Sequence, residues 1–241
     1  MTKATTGQWL LYAIVDPARM DRTEFSAACG RTGLEDAPLS RIDAGSLHVV
    51  VSRIADSKRI PSASVQQILT FKSVIDAVFC AGPVIPLRFG TLVSSPQDAA
   101  TLVAEREKQY LDALERLSGH VEMGLSIVLS DDDSTVSNAG RGADTADLTG
   151  PGTSYLLARK EARARDRERV DRAVTPFTEA LSPLSMDVSS QPGTTSDAPI
   201  SLSFLVPQAS VGAFRDAADA VDCAHAASVD IVGPWPPYSF V

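Results

Sequence analysis

The sequence predicts an α+β protein of two domains, each with helices packed on one face of a mostly antiparallel sheet, as in split βαβ folds. Three observations predict it. A chain of 241 residues suits one large or two medium domains. A composition of 44% hydrophobic and 22% charged residues is globular and excludes a disordered chain. The order β-α-β-β-α-β can be traced twice, over residues 1–118 and again over 119–241, the second carrying a polar insertion at 130–150 and a proline and aromatic tail at 233–241.

In the first half, the apolar run from Trp9 to Val15, stopped by Asp16-Pro17, has the pattern of a buried central strand. A helix is expected over 22–30, then strands over 38–43 and 46–54 joined by an Ala44-Gly45 turn. Ser62 or Ser64 caps a helix reaching Ala81, with Val65, Ile68, Leu69, Ile75, Val78 and Phe79 as its apolar stripe, and Gly82-Pro83 stops it. Residues 84–93 are extended, with Pro86 restricting them to an edge or irregular strand. One helix over 96–117 follows, carrying Val103, Tyr110, Leu114 and Leu117, and Ser118-Gly119 ends it.

In the second half, residues 121–129 alternate as a strand, and the Gly- and Asp-rich stretch after them has no periodicity and is expected to be mobile. A long helix starts near Gly152 or Thr153, carries Val170, Val174, Phe177, Leu181 and Leu184, and is expected to be kinked and ended by Pro176 and Pro183. Strands over 184–189 and 200–206, a helix over 208–224 with Val211, Phe214, Ala218 and Val221 inward, and a last strand over 228–232 complete the unit.

A net charge of −8 and a pI near 4.9 argue against a nucleic-acid or anionic-membrane partner, both of which need basic surface. Cys29, Cys80 and Cys223 are few, odd in number and widely spaced, so a disulfide framework is not expected and a reducing cytoplasm fits best. The polar start of the chain lacks a signal-peptide pattern, and no apolar run approaches a membrane span, so a soluble, unexported protein is expected. His48, His120 and His225 share no metal-ligand spacing with the cysteines. The acidic cluster Asp131-Asp132-Asp133 with Asp144 and Asp147 lacks the spacing of a calcium loop. Gly150-Pro-Gly152 before a helix suits a plain loop-to-helix entry better than an anion site. With no nucleophile elbow, phosphate loop, dinucleotide fingerprint or zinc-protease motif, no catalytic, metal or cofactor residue is expected and an enzyme is not predicted.

Two features bear on binding. Residues 159–172 carry seven basic side chains against four acidic ones, with Glu161/Arg165 and Glu168/Arg172 spaced four apart, as on a solvated helix face; their excess charge would also suit an acidic partner. The tail places Trp235, Tyr238 and Phe240 among Pro234, Pro236 and Pro237, which exclude helix and central strand. It is expected to fold back as a lock over its own domain, near the 86–90 segment, with a partner contact as the alternative.

Four strings in order, Leu11-Tyr-Ala-Ile-Val15, Val84-Ile-Pro-Leu-Arg-Phe-Gly-Thr91, Gly152-Thr-Ser-Tyr-Leu156 and Gly233-Pro-Trp-Pro-Pro-Tyr-Ser-Phe240, resemble the gas vesicle GvpF/GvpL family, over residues 9–241. That resemblance implies two α+β domains with the C-terminal one ferredoxin-like, no enzymatic role, and a place as an accessory or minor gas vesicle component in the cytoplasm. It further implies binding to the hydrophobic shell protein GvpA, and to other gas vesicle accessory proteins, during assembly. Relatives often carry a His-Glu pair where this chain has Phe71-Lys72. The candidate partner-binding or domain-locking residues are Arg88, Phe89, Arg163, Arg167, Arg169, Trp235, Tyr238 and Phe240. Without the resemblance, the alternative function is a ligand-binding regulatory module of tandem ferredoxin-like domains.

Overall fold

The computed structural model describes residues 8–55, 63–130, 151–191 and 198–241. The acidic cluster and nearly all of the insertion expected at 130–150 lie outside the described residues. The chain divides into two units, one of Met1–Glu122 with Pro234–Val241 and one of Met123–Gly233. The tail, expected with the second half, therefore belongs to the first unit.

That unit contains β1 (Gln8–Val15), α1 (Arg22–Cys29), β2 (Leu39–Ala44), β3 (Leu47–Ile54), α2 (Val65–Cys80), β4 (Val84–Pro86), β5 (Leu92–Val93), α3 (Pro96–Ala104) and α4 (Glu107–Leu117). Its sheet has the order β2-β3-β1-β4, with β5 also on β1. The central place of β1 explains its six consecutive buried residues from Leu10 to Val15. Pro86, which has no N–H to give a ladder, falls on the terminal strand β4. The extended segment over 84–93 is interrupted after Pro86, and both of its pieces pair antiparallel with β1.

Leu10, Tyr12, Val15, Val50 and Ile54 pack against Phe25 of α1 and Phe71, Val74, Ile75 and Val78 of α2. Val49, Val50, Val51 and Ser52 are all buried in succession, so β3 is covered on both faces. The further cover comes from α3, which packs along β2 and β3 with Ala99 and Val103 buried, one helical layer more than periodicity predicts. Within this core the Tyr12 hydroxyl is 2.9 Å from Ser52 Oγ and accepts from the Leu34 N–H at 2.9 Å. The Tyr12 ring stacks on Phe71 with centroids 4.9 Å apart.

The single helix expected over 96–117 is two helices, because Arg106 leaves helical geometry (φ −125, ψ 22). The break presents Glu107 to the β2–β3 turn, where the Ser46 N–H and hydroxyl both donate to its Oε1 at 2.6 Å. These bonds hold the Glu107 carboxyl below its ordinary value. Gly45 in that turn has φ +69, and a Cβ there would come 2.4 Å from Glu107 Oε1.

The second unit contains most of β6 (His120–Leu129), α5 (Pro151–Leu181), β7 (Asp187–Gln191), β8 (Ile200–Pro207), α6 (Val211–Asp219) and most of β9 (Ala226–Trp235). Its sheet order, β7-β8-β6-β9, repeats the plan of the first: second, third, first and fourth strands of the βαββαβ series. This order is compatible with the ferredoxin-like topology. Ala173, Phe177 and Leu181 of α5 are buried, and Phe214 of α6 meets Phe204 edge to face at 5.2 Å. Pro176 is accommodated within α5, and Pro183 lies in the 3-10 turn that ends it. The helix expected over 208–224 is shorter, a 3-10 turn followed by α6. The last strand is longer than expected and runs through Pro234, which its edge position tolerates.

Candidate functional site

Helix α2 begins with a reciprocal cap, Ser64 Oγ accepting from the Gln67 N–H at 3.3 Å and Gln67 Oε1 accepting from the Ser64 N–H at 2.9 Å. The strength of that cap matters because the first turns have little burial to hold them. Of the six residues expected to form the inward stripe, Ile75 and Val78 are buried, whereas Val65, Ile68 and Leu69 are 73%, 48% and 52% exposed. The inward face is set instead by Phe71, Val74, Ile75 and Val78. Val65, Ile68 and Leu69 follow the i, i+3, i+4 spacing of one helix face, so they form a bare apolar ridge on which Lys72 and Asp76 come next.

Lys72 and Asp76 pair at 2.6 Å, and Lys72 Nζ lies 5.9 Å from the centroid of the Trp235 ring. The tail is thus seated on α2. Pro236 and Pro237 are buried, and a 3-10 turn over Tyr238–Phe240 follows them. Ser239 donates through its N–H to Glu122 Oε2 at 2.8 Å and through its hydroxyl to Oε1 at 2.7 Å. The Arg116 guanidinium of α4 donates to the Phe240 carbonyl. The Tyr238 phenol is pushed well above its ordinary value by burial first and then by the charges of Asp76 and Glu122.

These contacts bring together three of the sequence-predicted residues, Trp235, Tyr238 and Phe240, and add four that sequence reasoning missed: Lys72, Asp76, Arg116 and Glu122. Glu122 left a signal, since a carboxylate in the apolar strand Val121-Glu-Met-Gly-Leu must find a partner if buried. In the 86–90 segment, near which the tail was expected, Phe89 packs edge to face on Phe71 of α2 at 5.1 Å. Arg88 is exposed, and among the described residues it makes no ion pair; its carbonyl accepts from the Thr91 N–H and hydroxyl in a turn.

On α5 the basic residues separate by role. Arg163 and Arg167 are exposed and line an open groove of 560 Å³ with Arg159, Lys160 and Asp171. Arg169 is half-buried and donates to the Ser130 carbonyl at 3.2 Å, a bond internal to the second unit. Glu168 and Arg172 form the expected pair at 3.7 Å, while Arg165 Nε donates to the Glu161 main-chain carbonyl.

A cavity of 590 Å³ opens in the first unit between α1 and the β2–β3 hairpin. His48 lines it, with Nε2 3.0 Å from Asp43 Oδ1, its ring stacked on Phe25 at 6.5 Å and Nδ1 buried without a partner. Burial raises the Cys29 thiol there, and the nearby Arg41 charge partly opposes it. No group of metal-ligating side chains occurs among the described residues, and none of the described helices is long and apolar enough to cross a membrane.

Comparison with known proteins gives a consistent result. The family described as gas vesicle synthesis protein GvpL/GvpF matches residues 8–241. Gas vesicle protein F of Streptomyces sp. (strain CB03234) is 30% identical over 240 residues, covering 93% of this chain and 96% of that protein. Gas vesicle protein F2 of Halobacterium salinarum is 26% identical over 202 residues, covering 81% and 76%. The crystal structures of GvpF from Anabaena sp. PCC7120 and from Microcystis aeruginosa each superpose with a TM-score of 0.73, at 17% and 18% identity. The first covers 97% of this chain and 95% of its own, and the second 98% and 99%, which shows the shared fold.

Proposed function

We propose, since this chain belongs to the GvpL/GvpF family of gas vesicle synthesis proteins, that it is an accessory or minor structural component of the gas vesicle that binds the hydrophobic shell protein GvpA. Its function is a gas vesicle function; the finer reading is that it receives the shell protein in the cytoplasm before assembly, by binding and without a catalytic step. The observation that carries this is the bare ridge of Val65, Ile68 and Leu69 on α2. A shell subunit that is apolar toward the gas space must have that surface covered before it assembles, and a partner covers it with apolar side chains of its own. The net charge of −8 keeps such a pair soluble.

The docked tail supports the reading by its position. Trp235 and Tyr238 lie at Lys72 and Asp76, further along the helix face that carries the ridge, so aromatic and aliphatic surface share one helix. Co-purification with GvpA tests the proposal. Enrichment over an unrelated acidic protein, lost in Ile68→Asp/Leu69→Asp with the melting temperature unchanged, is the expected result. No enrichment, together with normal vesicles in a deletion strain, overturns it.

A further inference from the structure

We propose that the cavity between α1 and the β2–β3 hairpin binds a small carboxylic acid with an apolar body. None of its lining residues takes part in seating the tail, so the site stands apart from the shell-protein reading. Its 590 Å³ falls within the roughly 300–1,000 Å³ of small-molecule sites. The buried side chains of Met20, Phe25 and Leu39 give it an apolar wall.

Charge of one sign faces that wall. Arg22 and Arg41 come from two different elements, and among the described residues neither guanidinium forms an ion pair. The N-terminal amides of α1 cannot serve an anion, because the Thr23 and Glu24 N–H groups both donate to Asp21 Oδ1 at 2.9 Å. Anion recognition therefore falls to planar guanidinium groups, which match a carboxylate.

His48 also lines the cavity. Its Nε2 lies 3.0 Å from Asp43 Oδ1, so the nearby carboxylate is engaged by the ring and both guanidinium groups are left to the ligand.

Calorimetry and ligand-observed NMR on the full chain test this with N-acetylphenylalanine as the probe. Its relatives N-acetylphenylalaninamide, which lacks the charge, and N-acetylalanine, which lacks the large apolar body, are the controls. The expected result is saturable binding of the probe, weakened about tenfold or more in Arg22→Ala/Arg41→Ala and weakened for both controls. Both arginines are exposed, so that variant keeps the parent melting temperature. A probe that does not saturate, equal affinity of the double variant, or equal binding of all three compounds overturns the proposal. Failure of GvpA capture leaves it unaffected.

Discussion

Ser239 holds both oxygens of Glu122, its N–H on Oε2 at 2.8 Å and its hydroxyl on Oε1 at 2.7 Å, across 117 positions of sequence. Glu122 is only 5% exposed, so this pairing compensates a carboxylate taken out of water. Hydrogen bonds to charged groups are worth about 1.5–3 kcal/mol. Ser239→Ala removes one of the two and is expected to cost about 1–2 kcal/mol, lowering Tm by about 2–8 °C. Denaturant melts of Ser239→Ala, Glu122→Gln and the double variant measure it. Full additivity would separate the two residues energetically.

Tyr12 and Gly33 are coupled through space. A Cβ on Gly33 would lie 2.2 Å from the Tyr12 hydroxyl oxygen, so Gly33→Ala displaces the ring or its bonds to Ser52 and Leu34. Tyr12→Phe leaves those two partners unpaired in the core, at about 1–3 kcal/mol. Because the hydroxyl is the first atom struck, the double variant is expected to lose less than the sum of the singles. Urea midpoints of the three proteins check this.

Alkaline stability is expected to fall for a definable reason. The Tyr12 and Tyr238 phenols are both raised, chiefly by burial, so above the unfolded value near pH 10 the folded chain retains protons that the unfolded chain has released. Stability conferred by the protonated phenols is complete below that pH and is lost as pH rises toward the folded values. Tyr238→Phe is expected to flatten part of the decline. Tyrosinate absorbance followed alongside unfolding midpoints tests the sign.

Charge reversal on α5 should divide its arginines. Arg163→Glu and Arg167→Glu are exposed changes, expected within about 0.5 kcal/mol in stability. Arg169→Ala removes the bond to the Ser130 carbonyl and is expected to cost about 1 kcal/mol. If the exposed pair meets an acidic partner, its reversal weakens GvpA capture at low salt; unchanged capture leaves these residues as a solvated face.

The strand and helix order was legible because it rests on local chemistry. The apolar run of β1, the Gly45 turn and the Pro86 edge each have one physical reading, and the structure repeats them. The α2 face was not legible, because Val65, Ile68 and Leu69 fit a helical stripe as well as Phe71 and Val74 do, and periodicity cannot tell a covered face from a bare one. The break at Arg106 was hidden for a related reason: it is fixed by Ser46, sixty-one positions away from Glu107, and not by a glycine or proline. The tail's aromatic residues stood out in composition, yet Lys72, Arg116 and Glu122 are brought to them only by the tertiary fold.

The return of residues 234–241 to the first unit also sets an order of events on the ribosome. Glu122 emerges long before Ser239, and at about 5–20 residues per second the 117-position separation amounts to roughly 6–23 s of translation. For that interval the nascent first unit holds a carboxylate without its donors and the unfilled seat of Phe240. Chains halted within the second unit would present this half-built surface. Residues 234–241 cover it once they are made, so the first unit is completed only after the whole of the second has been synthesised.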